Sequence, residues 1–142
     1  MKLGIATALA FGLVWGAAAV QAEETLDGTW TLSAGEVDGK ALTEEQLQDA
    51  KLVINGDHYT VTLEGMGTVT GMQILDPTQN PKTINITDAD GPRKGQTYLG
   101  IYDLVGDEYR VAFAMPGNAR PADFSLTTDG GNWIHVWKRA TE

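Results

Sequence analysis

Apolar and polar residues alternate with a period of two in one short segment after another along this chain, and strong turn signals separate the segments. Trp30, Leu32 and Ala34 alternate with Thr29, Thr31 and Ser33; Tyr59, Val61 and Leu63 with His58, Thr60, Thr62 and Glu64; Ile84 and Ile86 with Thr83, Asn85 and Thr87; Tyr109, Val111, Phe113 and Met115 with Arg110, Ala112 and Ala114. Successive side chains of a strand leave opposite faces of a sheet, so this period describes strands that bury one face. Asn55-Gly56 suits the two central positive-φ positions of a tight hairpin. Glycine-rich turns recur at residues 64–67, 90–95, 106–107, 116–118 and 129–132. Strands are predicted near residues 28–36, 51–55, 58–64, 67–75, 82–88, 96–104, 107–115, 122–127 and 132–138. Such a run of strands with short links is an up-and-down meander, and closing it into a barrel removes its exposed edges. The fold expected is all-β, an eight- to nine-stranded antiparallel up-and-down barrel.

One segment departs from this pattern. Thr43 followed three residues later by Gln46 forms a capping box, and Leu42 and Leu47 occupy the positions of a hydrophobic staple. Glu44 and Glu45 fall in the first turn and Lys51 at the end, each sign where the helix dipole favours it. A short, two-turn helix is therefore expected within residues 41–50, after the first strand, plugging one barrel mouth through Leu47 and Ala50.

The chain begins Met1-Lys2, continues with an uncharged apolar run from Leu3 to Val20, and then places Val20 and Ala22 at the −3 and −1 positions ahead of Glu23-Glu24. This is the pattern of a secretory signal peptide over residues 1–22. An uncleaved membrane anchor is the competing reading of so long a run, but the small residues Ala17-Ala18-Ala19 and Ala22 favour a peptidase site. The expected mature domain spans residues 23–142, exported to the periplasm or medium of a bacterial envelope, with no stable membrane insertion after cleavage. The 142-residue chain contains no cysteine, so neither disulfides nor thiolate chemistry contribute and an exported fold must rest on its core. Its formal net charge of −9 argues against a nucleic-acid surface, which needs clustered Lys and Arg.

Leu26-Asp27-Gly28-Thr29-Trp30-Thr31-Leu32 contains the Gly-x-Trp that opens the first strand of lipocalins and related calycin barrels. The resemblance implies that Gly28, Trp30 and a late arginine, here Arg139, close one end of a barrel. A broader resemblance runs through residues 26–63, 76–87, 91–111 and 116–124, which are similar to the small lipocalin-like domain abundant in planctomycete bacteria. It implies a lipocalin-like fold and an envelope location, and no particular activity. Members often carry a cysteine in the strand where this chain has Ala112, so a thiol-based role does not transfer.

The residues offer little for catalysis or metal binding. His58 and His135 are the only imidazoles and lie in different strands without ligand spacing. His58 is expected at the surface, and His135, between Trp133 and Trp137, as a satisfied residue of a packed aromatic face. Ser33 and Ser125 lie outside any nucleophile turn. Asp88-Ala89-Asp90-Gly91 fails the EF-hand pattern, because the first and twelfth positions are Ile86 and Thr97. Asn85-Ile86-Thr87 matches a glycosylation acceptor by chance. The acids cluster at turns, which turn formation itself explains. We therefore expect a non-enzyme, monomeric, with no metal and no cofactor.

The remaining question is what fills the barrel, since eight strands enclose space either for packed side chains or for one small ligand. A ligand-binding lumen is expected to involve Trp30, Tyr59, Val61, Tyr102, Phe113 and Met115, with Gly71, Gly100, Ala112 and Ala114 leaving room. The first hypothesis is a binder of a small apolar or amphipathic molecule. The alternative is a filled barrel acting through its outer surface as an envelope interaction or inhibitor-like module, suggested by Ile134 and Val136 on the face opposite Trp133 and Trp137. An open lumen of about 300 Å³ or more would favour the binder.

Overall fold

The structure is a computed structural model, which describes residues 25–63, 65–125 and 132–140. The expected signal peptide, the turn residue Glu64, residues 126–127 and most of the 129–132 turn lie outside the described residues. The described residues form β1 (Gly28–Val37), β2 (Lys40–Ala41), α1 (Glu44–Leu47), β3 (Lys51–Asn55), β4 (His58–Leu63), β5 (Gly67–Asp76), β6 (Lys82–Asp88), β7 (Thr97–Val105), β8 (Glu108–Phe113) and β9 (Trp133–Arg139). From β3 to β9 every strand pairs antiparallel with the next, while β1 pairs with β3 on one side and β9 on the other. Trp30 stands opposite both Leu52 and Arg139, so the sheet closes on itself. The result is an eight-stranded, closed antiparallel barrel of lipocalin-like form, with β2 as an additional strand folded back on the end of β1.

Alternation places Leu52, Ile54, Tyr59, Val69, Ile84, Tyr98, Tyr102, Tyr109, Val111, Phe113 and Trp137 inside, all of them buried. Along β1 the parity changes once. The register with β9 runs Trp30↔Arg139 and Leu32↔Trp137, then resumes at Ala34↔Val136 and Gly35↔His135, leaving Ser33 as an extra residue. This bulge turns Ala34 outward, against the simple alternation expected for it, and points Gly35 and Val37 toward the interior. The Ser33 hydroxyl donates to the Val136 carbonyl at 3.0 Å and pins the irregularity.

Three hairpin turns use glycine in two ways. Between β3 and β4 the paired residues are Asn55 and His58, so the central pair is Gly56-Asp57 rather than the expected Asn55-Gly56. Only Gly56 has positive φ, at 66°, which is the requirement of a II′ turn. Gly106, with φ 60° between the partners Val105 and Glu108, repeats it. Asp38 and Gly39 both have positive φ and form the I′ turn into β2.

The helix is shorter than expected. Thr43 caps it, accepting from the Gln46 N–H while Gln46 accepts from the Thr43 N–H, but regular helix spans one turn, since Gln48 is already extended at ψ 137°. α1 sits where β1 and β3 part company beyond the Thr31↔Lys51 pair. There Leu42 and Leu47 pack against the core and Ala50 is buried within it. The strand expected at 122–127 is irregular through Ser125. That segment instead crosses the outer face of the barrel, where the Phe124 ring lies 3.8 Å from the Arg110 guanidinium and Arg120 donates to the Ile84 and Gly100 carbonyls. The outward residues Ile101 and Ala112 are buried on this side.

Candidate ligand cavity

The two ends of the barrel differ. At the closed end the chain enters through Leu26, which is buried, and Trp30, which has no exposed surface. The Trp30 indole N–H donates to the Leu26 carbonyl at 2.9 Å. The Arg139 guanidinium lies 4.3 Å over the indole and donates to the Asp27 and Thr25 carbonyls, with Asp107 at 3.2 Å. Gly28 belongs to the same arrangement. Its φ is 132°, and a Cβ there would stand 3.2 Å from Arg139 Nη1.

Above this closure the rings of Tyr109 and Trp137 form a floor, with Tyr109 5.5 Å from Trp30. Above the floor the interior is not filled. A cavity of about 390 Å³ runs toward the other end, where Val37, Met66, Arg93 and Met115 border its mouth. Its walls are largely apolar and include Val61, Leu63, Val69, Ile86, Val111 and Phe113. Phe113, Tyr98 and Trp133 pack edge to face or tilted, with centroids 5.5 to 6.4 Å apart. Gly100 provides part of this space: a Cβ there would lie 2.5 Å from the Phe113 ring.

A few polar groups face the cavity. The Tyr59 hydroxyl donates to Asp88 Oδ1 at 2.5 Å. It reaches across Gly71, where a Cβ would overlap the phenol. Burial raises the Asp88 carboxyl above the usual carboxylate range; Asp90 acts in the same direction, while the Tyr59 hydrogen bond and Arg93 oppose it. Burial, and then Asp88, push the Tyr59 phenol upward. Gln73 is buried, and its Nε2 has no hydrogen-bond partner. His135 lines the cavity between Trp137 and Trp133, with ring centroids 5.6 and 6.4 Å away. Its ring counts as only half-buried because the cavity beside it is open space, yet protein encloses it closely enough for burial to push its pKa down to about 4. Sequence reasoning placed it on an aromatic face, and the structure gives it those neighbours; among the described residues the ring has no hydrogen-bond partner.

Of the expected lumen residues, Tyr59, Val61, Phe113 and Met115 line the cavity. Trp30 and Tyr102 do not. Trp30 is sealed beneath the floor, and Tyr102 borders a separate depression at the closed end, beside Lys82 and Leu104. Gly71 and Gly100 lie under the inward rings, whereas Ala112 faces outward. The polar set of Gln73, Asp88, Arg93 and His135 was not anticipated as a group. Continuing the Ile84, Ile86 alternation by one step puts Asp88 inside, and the same step from Gly71 does so for Gln73. Arg93 arrives on a loop, where strand parity says nothing.

The other candidate groups are engaged locally. His58 is exposed beside Asp57, with Nδ1 and Oδ1 3.0 Å apart. The Ser125 hydroxyl donates to Asp123. Asp88 and Asp90, close in sequence, diverge: the Asp90 carboxylate accepts from the Thr70 N–H and hydroxyl at 2.9 and 2.8 Å. Among the described residues no three His, Asp or Glu side chains are grouped to hold a metal ion, and Ile134 and Val136 are half-buried. No family model and no curated protein matches the chain.

Proposed function

We propose that the chain is an exported, non-enzymatic lipocalin-like binding protein that holds one small apolar or amphipathic molecule inside its barrel. The observation that carries this reading is the cavity: about 390 Å³, closed below by Tyr109 and Trp137, apolar on its walls and bordered at its mouth by Val37, Met66 and Met115. That volume lies in the range of small-molecule sites. Taking roughly 30 Å³ for a water-sized group, it accommodates on the order of a dozen non-hydrogen atoms. The leader-like sequence of residues 1–22 supports the location.

The test is native mass spectrometry of protein taken from its own envelope, together with binding of the neutral fluorophore 2-naphthol, which is small enough for this volume. One molecule per barrel is expected, and Val61→Phe, which grows into the cavity, should weaken binding at least several-fold. If the folded protein carries no small molecule and takes up no fluorophore, the reading fails.

A further inference from the structure

β9 turns one imidazole into the cavity, two residues from the Trp137 ring of the floor. In the barrel wall His135 stands opposite Val111 on β8 and Gly35 on β1, with Trp133 and Trp137 on either side of it along its own strand. The bulge at Ser33 makes room for it: Gly35 is turned inward there, and a Cβ on it would lie 3.2 Å from the imidazole Cδ2. The ring is half-buried and its exposed part faces the cavity. Neither nitrogen has a hydrogen bond among the described residues, and neither is sealed off as Gln73 Nε2 is. An occupant of the cavity can therefore reach them.

The state of the ring narrows the chemistry of that occupant. Burial alone lowers the imidazole pKa to about 4, so at neutral pH it presents one lone-pair nitrogen and one N–H. Among the described residues lining the cavity the charged groups are Asp88 and Arg93. They belong to β6 and to the loop that leaves it, with β7 and β8 between them and β9. A hydroxyl satisfies the lone pair of a neutral imidazole without bringing a charge to an apolar stretch of wall.

We propose that the cavity takes a small uncharged molecule bearing a hydroxyl group, a phenol or an alcohol, whose O–H donates to the unprotonated nitrogen of His135 while its apolar body fills the space above the Tyr109 and Trp137 rings. The proposal rests on the binding reading above and specifies the chemistry of its ligand.

Three fluorescent probes of one shape test it: 2-naphthol; 2-methylnaphthalene, its hydrocarbon counterpart; and 2-naphthoate, an anionic counterpart. Fluorescence titration at pH 7 gives their affinities for the wild type, for His135→Phe and for His135→Leu, the second apolar variant guarding against a misfolded first. The hydrocarbon reports any change in the shape of the cavity, so the ratio of naphthol to hydrocarbon affinity isolates the hydrogen bond. That ratio should fall roughly three- to tenfold in either variant, the equivalent of one lost hydrogen bond. An unchanged ratio, or 2-naphthoate as the tightest probe of the wild type, overturns the proposal while leaving the binding reading intact. If none of the three binds the wild type, the binding reading itself falls and this proposal with it.

Discussion

The Tyr59 phenol reaches Asp88 because Gly71 stands between them without a side chain, so a glycine of β5 determines how a phenol and a carboxyl of the cavity wall meet. Gly71→Ala forces the phenol aside; overpacking of this kind costs about 1 to 3 kcal/mol, and urea unfolding should show a loss in that range. A midpoint equal to that of wild type would mean that the ring does not cross there. At the closed end, Trp30→Ala should cost roughly 3 to 5 kcal/mol, as expected for a fully buried large ring. Arg139→Ala should cost less, since the arginine is partly exposed and its contacts are a stacked ring and backbone carbonyls. Because the two residues touch, the double variant should lose less than the sum of the singles; strict additivity in the cycle would exclude the stacking. Gly28 and Trp30 could be picked out from the sequence because a short motif carries them, and Arg139 because the resemblance that motif brings implies a late arginine. Gln73 and Asp88 could not be picked out so easily: each is a polar residue at an inward position, and polarity by itself suggests the opposite face.

The elements were legible where one rule governs them. The period of two together with the turn signals located the eight barrel strands, though they also marked a strand at 122–127 that is irregular through Ser125, and the short links implied neighbouring antiparallel pairs. The alternation failed at Ser33, because a bulge has no compositional mark, and one added residue sends every later side chain of the strand to the other face. The capping box at Thr43 located the helix start correctly, but capping energy sets only where a helix begins; the next strand must start at Lys51, and this cuts the helix to a single turn. The hairpins offer a separate check. A Cβ on Gly106 meets nothing within 4 Å, although φ is 60°, so Gly106→Ala carries a purely conformational cost of roughly 1 to 2 kcal/mol. Gly106→Asn, whose side chain tolerates left-handed backbone, should recover part of it. Equal thermal midpoints for the alanine variant and wild type would exclude the positive-φ turn.

At the scale of the whole molecule, an unfilled interior leaves ionisable groups facing a space shielded from bulk solvent, and burial shifts two of them in opposite directions. His135 is pushed down to about 4 from an ordinary 6.5. Between these values the unfolded chain binds a proton that the folded barrel refuses. Stability due to the neutral ring is therefore complete above pH 6.5 and lost as the pH falls toward 4, a change on the order of 3 kcal/mol. Asp88 is raised, so the folded barrel holds its proton longer than the unfolded chain, and ionising it weakens the fold as pH rises through its folded pKa. The exposed Asp76, Asp90 and Asp123 are lowered by hydrogen bonds from threonine and serine, in each case more than burial raises them; their contributions are lost as the pH falls below the unfolded carboxylate value, a more acidic window than that of His135. Urea midpoints measured from pH 4 to 8 should thus fall on the acid side in the wild type, and the fall between pH 6.5 and 4 should flatten in His135→Phe. In Asp88→Asn, which keeps an acceptor for Tyr59, the gain over wild type should grow as the pH rises. A ligand held in the cavity adds stability according to its concentration and affinity, so a saturating apolar ligand should raise the whole curve. A His135→Phe curve running parallel to that of wild type across this window would show that the ring is not enclosed by the barrel.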